Sequence, residues 1–247
     1  MAPVEIGKPV FGVDSPKPST TQHPSLYDHT LITTDFDALK FHAAASLQLQ
    51  FGHPHETAAL QSDLLITSPY NDPKHLLDLK TLDTPNQLLA KALTILIPIR
   101  DDYATAPYTE SFNWQAVFDF LRDLAQKSGH RWQTQHFYVV VFRSRLQADI
   151  DNQRLHDLDA YSHQEAVASG GLLKYWFGTK DGERRNLATC LWRSRNDARL
   201  GGTGPWHKKA RGAAREMYEN ITFTTLKLVI EDDVRSWSVT DWTDEDE

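Results

Sequence analysis

The order of strands and helices between residues 137 and 230 constrains the fold more than any other feature of the sequence. Phe137 to Leu146 is predicted to be a strand. Its first residues are apolar on both faces, so we expect that part of the strand to be covered on both sides. Five further elements are predicted by periodicity and by turn residues: a helix at 149–169, strands at 172–177 and 187–193, a helix at 205–218 and a strand at 221–230. The segment therefore has the order strand, helix, strand, strand, helix, strand.

That order is the split βαβ arrangement of ferredoxin-like folds, so the fold class is predicted to be α+β. One sheet with both helices on one face leaves its other face bare. A bare apolar sheet face has to be covered by a second sheet or by another protomer. We therefore expect a ferredoxin-like unit of the dimeric or pseudo-dimeric α+β barrel type, and a homodimer as its assembly.

Four regions are predicted along the chain. Residues 1–30 hold five of the twelve prolines and are expected to be an extended Pro-rich arm. Residues 31–135 are expected to be an extension packed on the core, with a strand at 92–100 and a helix at 113–127. The strand is predicted because Leu93, Ile95, Ile97 and Ile99 alternate with other residues. Residues 136–230 form the ferredoxin-like core, and residues 231–247 are expected to be an acidic C-terminal tail.

Charge is unevenly distributed within a net charge of −7. Residues 231–247 carry eight acids and one base, whereas residues 174–215 carry eleven bases and three acids. Two interpretations stay open: solvated surfaces with a solubilising tail, or an anionic-ligand site that the acidic tail covers in cis. The overall negative field and the lack of a recognisable module argue against nucleic acid as a partner.

Several other classes are excluded or disfavoured by composition. No apolar run approaches the length of a membrane-spanning helix, so no membrane partner is expected. The single cysteine, Cys190, excludes an internal disulfide and a Cys-rich zinc site, and no metal site is predicted. The first residues have neither a secretory signal nor an Arg-rich presequence, so a cytoplasmic location is expected, with the nucleus as the alternative.

One motif resembles a known superfamily. Leu187-Ala188-Thr189-Cys190-Leu191-Trp192-Arg193-Ser194 is followed by Ala198 and by a helix that begins near His207. This pattern resembles the dimeric α+β barrel superfamily, in its antibiotic-biosynthesis-monooxygenase branch, over about 95 residues. The whole chain is also similar to an uncharacterised fungal protein family.

The resemblance implies a homodimer whose two sheets close a barrel, with a pocket between helices and sheet in each protomer. Members oxidise aromatic polyketides without a cofactor, degrade haem or bind ligands. Trp192 matches the strand-end Trp of the motif, and His207 lies near the position where haem-degrading members place an iron ligand. Those members usually also carry an Asn on the first strand, and here that strand has none.

Candidate site residues follow from these patterns. His207 is the candidate base or haem ligand, and Arg143 is the candidate anion-binding group, with Arg145 beside it. The aromatic residues expected to line a flat-ligand pocket are Trp176, Trp192, Trp206, Tyr138 and Phe142. An exposed histidine, a solvated strand end and ordinary core packing are the structural alternatives.

The expected function is small-molecule binding, with an oxygenase-like reaction on a flat aromatic or anionic ligand, either without a cofactor or with haem. The alternative is a non-catalytic ligand-binding or dimeric interaction protein. A cavity with buried groups of shifted pKa would favour the enzyme, and a closed aromatic core would favour the scaffold.

Overall fold

The computed structural model describes residues 64–70 and 72–243. The predicted Pro-rich arm at 1–30 and residues 244–247 of the predicted tail lie outside this range. Across the described residues, none of the helices combines the length and the apolar character needed to cross a membrane.

Within the described residues, seven strands form two antiparallel sheets. In chain order they are β1 Leu64–Leu65, β2 Leu77–Asp78, β3 Gln135–Leu146, β4 Leu172–Phe177, β5 Arg185–Trp192, β6 Tyr218–Ile230 and β7 Trp237–Asp241. The main sheet has the order β4-β5-β3-β6-β7, and β1 pairs with β2 beside it. The segment that carries β1 continues along the outer edge of the main sheet, where the Tyr175 amide donates to the Thr67 carbonyl.

In the part of the chain that the structure describes, six α-helices connect and cover these strands: α1 Thr84–Ala92, α2 Tyr108–Ser111, α3 Trp114–Ser128, α4 Asn152–Ser169, α5 Arg195–Gly201 and α6 Pro205–Met217. Short 3-10 helices lie at Pro73–His75, Leu79–Thr81, Leu93–Ile95 and Asp232–Val234. The chain order β3-α4-β4-β5-α6-β6 and the spatial order β4-β5-β3-β6 define a ferredoxin-like α+β unit, as predicted.

The two faces of the main sheet are covered differently. On one face, Val139 and Val141 of β3 and Leu228 of β6 belong to a large core that includes Trp114 and Phe118 of α3. We call this the inner face. The opposite face carries Tyr138, Tyr175 and Trp192, and it lies against α4 and α5. We call it the helix face.

The inner face is therefore not bare, because α1, α3 and their connections seal it within the same chain. The premise that a second sheet or protomer has to cover it is wrong. A barrel closed by two copies of this face would need α3 to leave the sheet. The homodimer stays a prediction, but a bare sheet face no longer supports it.

The strand predicted at 92–100 is wrong. Ala92 ends α1, Leu93–Ile95 forms a 3-10 turn, and Pro98 makes an isolated antiparallel bridge with Phe112. The alternation of Leu93, Ile95 and Ile97 is not a one-sided pattern, because Thr94 and Leu96 between them are also buried. When a segment is buried on all sides, its apolar residues show no periodicity that distinguishes a strand from a helix. The structure has a helix, α3, where one was predicted at 113–127.

The prediction of a tail at 231–247 also needs correction. Asp232–Val234 forms a 3-10 turn, and β7 pairs with β6 in the register Ile230 with Trp237 through Leu226 with Asp241. Val234 is buried in the main core, and the Arg122 guanidinium on α3 donates to its carbonyl oxygen. Segment 232–241 is therefore part of the fold, despite its high proportion of acids.

Candidate functional site

A cleft of about 490 Å³ opens on the helix face, between α5 and strands β3 and β6. We call it the sheet cleft. It is lined by Tyr138, Val140, Arg195, Asn196, Ala198, Arg199, Phe223 and Thr225. Phe223 is 60% exposed and packs edge-on against Phe142, with ring centroids 5.1 Å apart. The cleft therefore has an aromatic and apolar floor and two guanidinium groups in its wall.

Strand pairing places the sheet cleft beside a second group of polar residues. In the antiparallel register, Tyr175 of β4, Cys190 of β5, Val140 of β3 and Thr225 of β6 form one row across four strands. Neighbouring strands are about 4.8 Å apart, so Tyr175 lies about 10 Å from Val140 on the same face. Cys190 is small and partly exposed between them.

Local sequence fixes α5, and with it the arginines of the cleft. The Ser194 hydroxyl oxygen accepts from the Asp197 amide at 3.1 Å and caps the helix. Arg193 pairs with Asp197 at 2.8 Å and ties the first turn to the end of β5. At its other end, α5 approaches the sheet closely, because a Cβ on Gly201 would lie 2.4 Å from the Trp192 ring. Arg195 and Arg199 lie on α5 between these two fixed ends.

The polar group beside the cleft is centred on Asp159 of α4. Its two carboxylate oxygens accept hydrogen bonds from the Tyr70 and Tyr175 hydroxyls, each at 2.5 Å. Burial raises the pKa of Asp159, although the hydrogen bonds from Tyr175 and Tyr70 act in the opposite direction. Burial and the Asp159 charge also raise the pKa of both tyrosines, so both hydroxyls stay protonated donors.

Two buried histidines pack against the tyrosines that hold this carboxylate. His75 Nδ1 and His163 Nδ1 are 2.7 Å apart, so one ring must donate to the other. The other nitrogen of His75 is 3.2 Å from the Asp72 carboxylate, which is solvent-exposed. His163 is 4% exposed, and its Nε2 has no hydrogen-bond partner among the described residues. Asp72, His75 and His163 thus form a chain of polar atoms from solvent into the interior.

The histidine pKa values follow from this burial. Burial lowers the pKa of His163 to about 3, and the neighbouring His75 and His207 act in the same direction. Burial also lowers the pKa of His75, against the attraction of Asp72. Both rings are therefore neutral near pH 7 and can each donate and accept one proton. Tyr70 stacks on His75 at 4.5 Å between ring centroids and covers the pair.

The structure places several predicted site residues away from this region. Arg143 points from the inner face, and its guanidinium donates to the carbonyl oxygens of Tyr103, Ala104 and Ala106. Arg145 pairs with Glu219 at 3.1 Å. These arginines hold neighbouring segments of the chain, so the prediction that they share a pocket with His207 is wrong.

The prediction that Trp176, Trp192 and Trp206 line one pocket is also wrong. Trp176 packs edge-on against Tyr103 and Phe112 on the inner face, whereas Trp192 belongs to the helix face. The two rings point to opposite faces, so the sheet itself lies between them. Trp206 stacks on Tyr161 at 4.3 Å in a different cleft, of about 560 Å³, between α4 and α6.

His207 lies in the first turn of α6, where its Nδ1 is 3.0 Å from Glu165. Glu165 also accepts from the backbone amides of Trp206 and His207 and so caps the helix. Partial burial acts to raise the pKa of Glu165, but these hydrogen bonds outweigh it and lower the pKa below its ordinary value. The geometry matches a helix-capping pair.

Haem does not fit the described residues. No histidine lines the sheet cleft or the cleft between α4 and α6. Within residues 64–70 and 72–243, no three His, Cys, Asp or Glu side chains converge as a metal site would require.

Of the predicted ligand-binding residues, Tyr138 lines the sheet cleft, and Phe142 packs against Phe223, which also lines it. Phe223, Arg195 and Arg199 were not predicted individually. The alternation of the predicted strand at 221–230 would have placed Phe223 on the face of Thr225, and both arginines lie in the basic segment 174–215. No sequence pattern predicted that Tyr70 and His75 belong to the site, because only the fold brings them to α4.

Comparisons with known proteins identify a family and a relative. The PB2B2.08-like family matches residues 66–241. The UPF0643 protein PB2B2.08 of Schizosaccharomyces pombe is 38% identical over 172 residues, which cover 66% of this chain and 78% of that protein.

Solved structures with partial similarity include Rv0793 from Mycobacterium tuberculosis, with a TM-score of 0.33, 18% identity and coverage of 36% of this chain and 92% of that one. A Nitrosomonas europaea protein that carries the name antibiotic biosynthesis monooxygenase has a TM-score of 0.32, 13% identity and coverage of 36% and 94%. The family match spans most of the described residues and includes both the sheet cleft and the Asp159 group, so the chain belongs to the PB2B2.08-like family.

Proposed function

We propose that this protein binds a planar, anionic aromatic small molecule in the sheet cleft. The observation that carries the proposal is the lining of that cleft, in which Tyr138 and Phe223 lie with Arg195 and Arg199. A volume of about 490 Å³ is within the range of small-molecule sites. Aromatic side chains stack on a flat ring, and guanidinium groups bind carboxylate, sulfonate or phenolate oxygens.

The experiment is a fluorescence titration with 8-anilinonaphthalene-1-sulfonate, a planar aromatic anion. We expect saturable binding with one site per chain. Arg199→Gln should weaken it about tenfold, which corresponds to about 1.4 kcal/mol for one charge-assisted contact. Arg154→Gln is the matched control, because Arg154 lies in the other cleft, between α4 and α6. Equal effects of the two substitutions, or non-saturable binding, would refute the site.

A second candidate function is proton-transfer catalysis on the bound ligand, and the Asp159 group favours it. Tyr175 lies on the cleft's face of the sheet, and its hydroxyl is held by the Asp159 carboxylate. The hydroxyl oxygen can accept one further hydrogen bond, from a ligand O–H. The Tyr175 hydroxyl oxygen would take the proton of the ligand while its own proton passes to the Asp159 carboxylate. An oxygenase-like reaction would begin with such a deprotonation of the aromatic ligand.

The absorbance of 4-nitrophenol distinguishes catalysis from binding alone, because its phenolate form absorbs visible light. If the Asp159 group exchanges a proton with the ligand, the apparent pKa of bound 4-nitrophenol differs from that of the free compound. Asp159→Asn should reduce the difference, and His136→Gln, at an exposed position of β3, should leave it unchanged. A bound probe that titrates as it does in water would leave the binding function and exclude the catalytic one.

A further inference from the structure

The chain leaves the main sheet at the edge of the sheet cleft. After β7, the Trp242 amide donates to the Thr225 carbonyl at 3.0 Å. The Trp242 ring packs edge-on against Tyr138, with ring centroids 4.8 Å apart. Both Thr225 and Tyr138 line the cleft, so Trp242 forms part of its border.

Four of the five residues that follow Trp242 are acidic: Asp244, Glu245, Asp246 and Glu247. Five residues span at most about 17 Å when extended. The cleft that Trp242 borders is lined by Arg195 and Arg199. A segment of this length that starts at the border of the cleft can therefore reach its arginines.

We infer that Asp244–Glu247, the acidic segment, occupies the sheet cleft of its own chain and places its carboxylates on Arg195 and Arg199. The inference rests on the proposed function, because the acidic segment then competes with the anionic ligand for the same guanidinium groups. The cleft is thus a site for carboxylate-rich peptide as well as for a planar anion.

Tethering makes such a contact effective although each exposed ion pair is weak. A pair of this kind contributes between zero and about 1 kcal/mol. A short tether raises the local concentration of the segment to the millimolar range, so several weak pairs compete with a free ligand. Because the pairs are partly solvated, salt should weaken the competition.

The first experiment detects the contact without any ligand. Arg199→Lys keeps the positive charge and supplies an amine, and a carbodiimide then joins that amine to a carboxylate in direct contact with it. We expect an isopeptide bond between position 199 and the acidic segment, identified by mass spectrometry. Arg154→Lys is the positive control, because Arg154 forms an ion pair with Glu216 at 2.6 Å. A cross-link in the control and none from position 199 would overturn the inference.

The second experiment measures the competition. Neutralising three acids of the segment, as Asp244→Asn, Glu245→Gln and Asp246→Asn, should tighten anilinonaphthalene sulfonate binding about threefold to tenfold at low salt. The control triple is Asp101→Asn, Asp123→Asn and Asp149→Asn, which changes the net charge equally at exposed positions. This control triple should tighten binding of the probe by less than half as much.

The outcomes separate the two proposals. If Arg199→Gln weakens the probe but both triple variants bind it equally, the cleft binds anions and the acidic segment does not occupy it. If the cross-link forms but no variant binds the probe stoichiometrically, the segment occupies the cleft and the proposed ligand class is wrong. If neither the cross-link nor specific probe binding is seen, both proposals fail.

Discussion

The inner face and the helix face of one sheet show opposite chemistry. The inner face is packed by apolar and aromatic side chains such as Trp114, Phe118 and Val139, with little solvent access. The helix face carries a carboxylate held by two hydroxyls, a histidine pair and an open cleft with arginines. Residues at alternate positions of a strand point to opposite faces, so the same strands supply side chains to both faces.

The difference separates the stabilising core of the protein from the proposed binding site. Buried polar groups and a solvent-open aromatic such as Phe223 cost stability, so a chain keeps them only where other contacts make up for them. The extension that seals the inner face supplies such contacts. Tyr70 and His75, in the segment before α1, also complete the helix face, so one region of the chain supports both.

The largest effect is expected from the inner face. Trp114 is 2% exposed and contacts Tyr108, Phe112, Phe118 and Trp237. Trp114→Ala should lower the free energy of unfolding by about 3–5 kcal/mol, measured by urea denaturation. The folded fraction should bind the anionic probe normally, because the residue lies on the other face. A loss below about 1 kcal/mol would mean that the inner face is not the stabilising core.

A smaller loss is expected at the Asp159 group. Asp159→Ala leaves the Tyr70 and Tyr175 hydroxyls without their acceptor, which should cost about 3 kcal/mol. Asp157→Ala, two positions away on α4, removes a half-buried carboxylate that accepts one hydrogen bond from Gln153 and should cost less than about 1 kcal/mol. Similar values for the two variants would show that the hydroxyls find water instead.

The pH dependence of stability tests the buried histidine. The folded-state pKa of His163, about 3, lies below its ordinary value of 6.5, so below pH 6.5 the unfolded chain binds a proton that the folded chain does not. Lowering the pH from about 7 to about 5 should cost about 2 kcal/mol through this residue.

The measurement is urea unfolding at both pH values, in wild type and in His163→Gln, which should lose less stability on acidification. The raised pKa of Asp159 acts with the opposite sign and is common to both proteins. His136→Gln, at an exposed position, should behave as wild type. An unchanged acid sensitivity in His163→Gln would mean that the ring is protonated in the folded state.

The smallest effect on stability is expected at the cleft. Phe223→Ala, at a 60% exposed position, should change the free energy of unfolding by less than about 0.5 kcal/mol. The same substitution should weaken binding of the anionic probe, since it removes an aromatic surface from the cleft. A large loss of stability without loss of binding would reverse the assignment of the two faces.

Periodicity predicted the ferredoxin-like unit because its strands and helices are each covered in a regular way. Phe137 to Leu146 and the helix with Trp114 and Val117 have clear patterns, and the structure has β3 and α3 at those positions. The pattern failed at residues 93–97, which are buried on more than one side. It also failed at Trp237–Asp241, an edge strand inside the acid-rich segment 231–247.

The site was harder to predict because it depends on distant pairings. His156 and Asp159 could be considered together from their spacing on one helix, but the partners of Asp159 are Tyr70, 89 positions away, and Tyr175, 16 positions away. Arg143 looked like an anion-binding group, and only the fold shows the carbonyl oxygens that it contacts.

The most direct test of the separation of the two faces is an amide NMR titration with anilinonaphthalene sulfonate. The account predicts shifts that saturate together at Tyr138, Val140, Arg199 and Thr225, on the helix face, with Val139 and Leu228 unmoved. Saturating shifts centred on Trp206 and Lys209, in the cleft between α4 and α6, or on the inner face would contradict it.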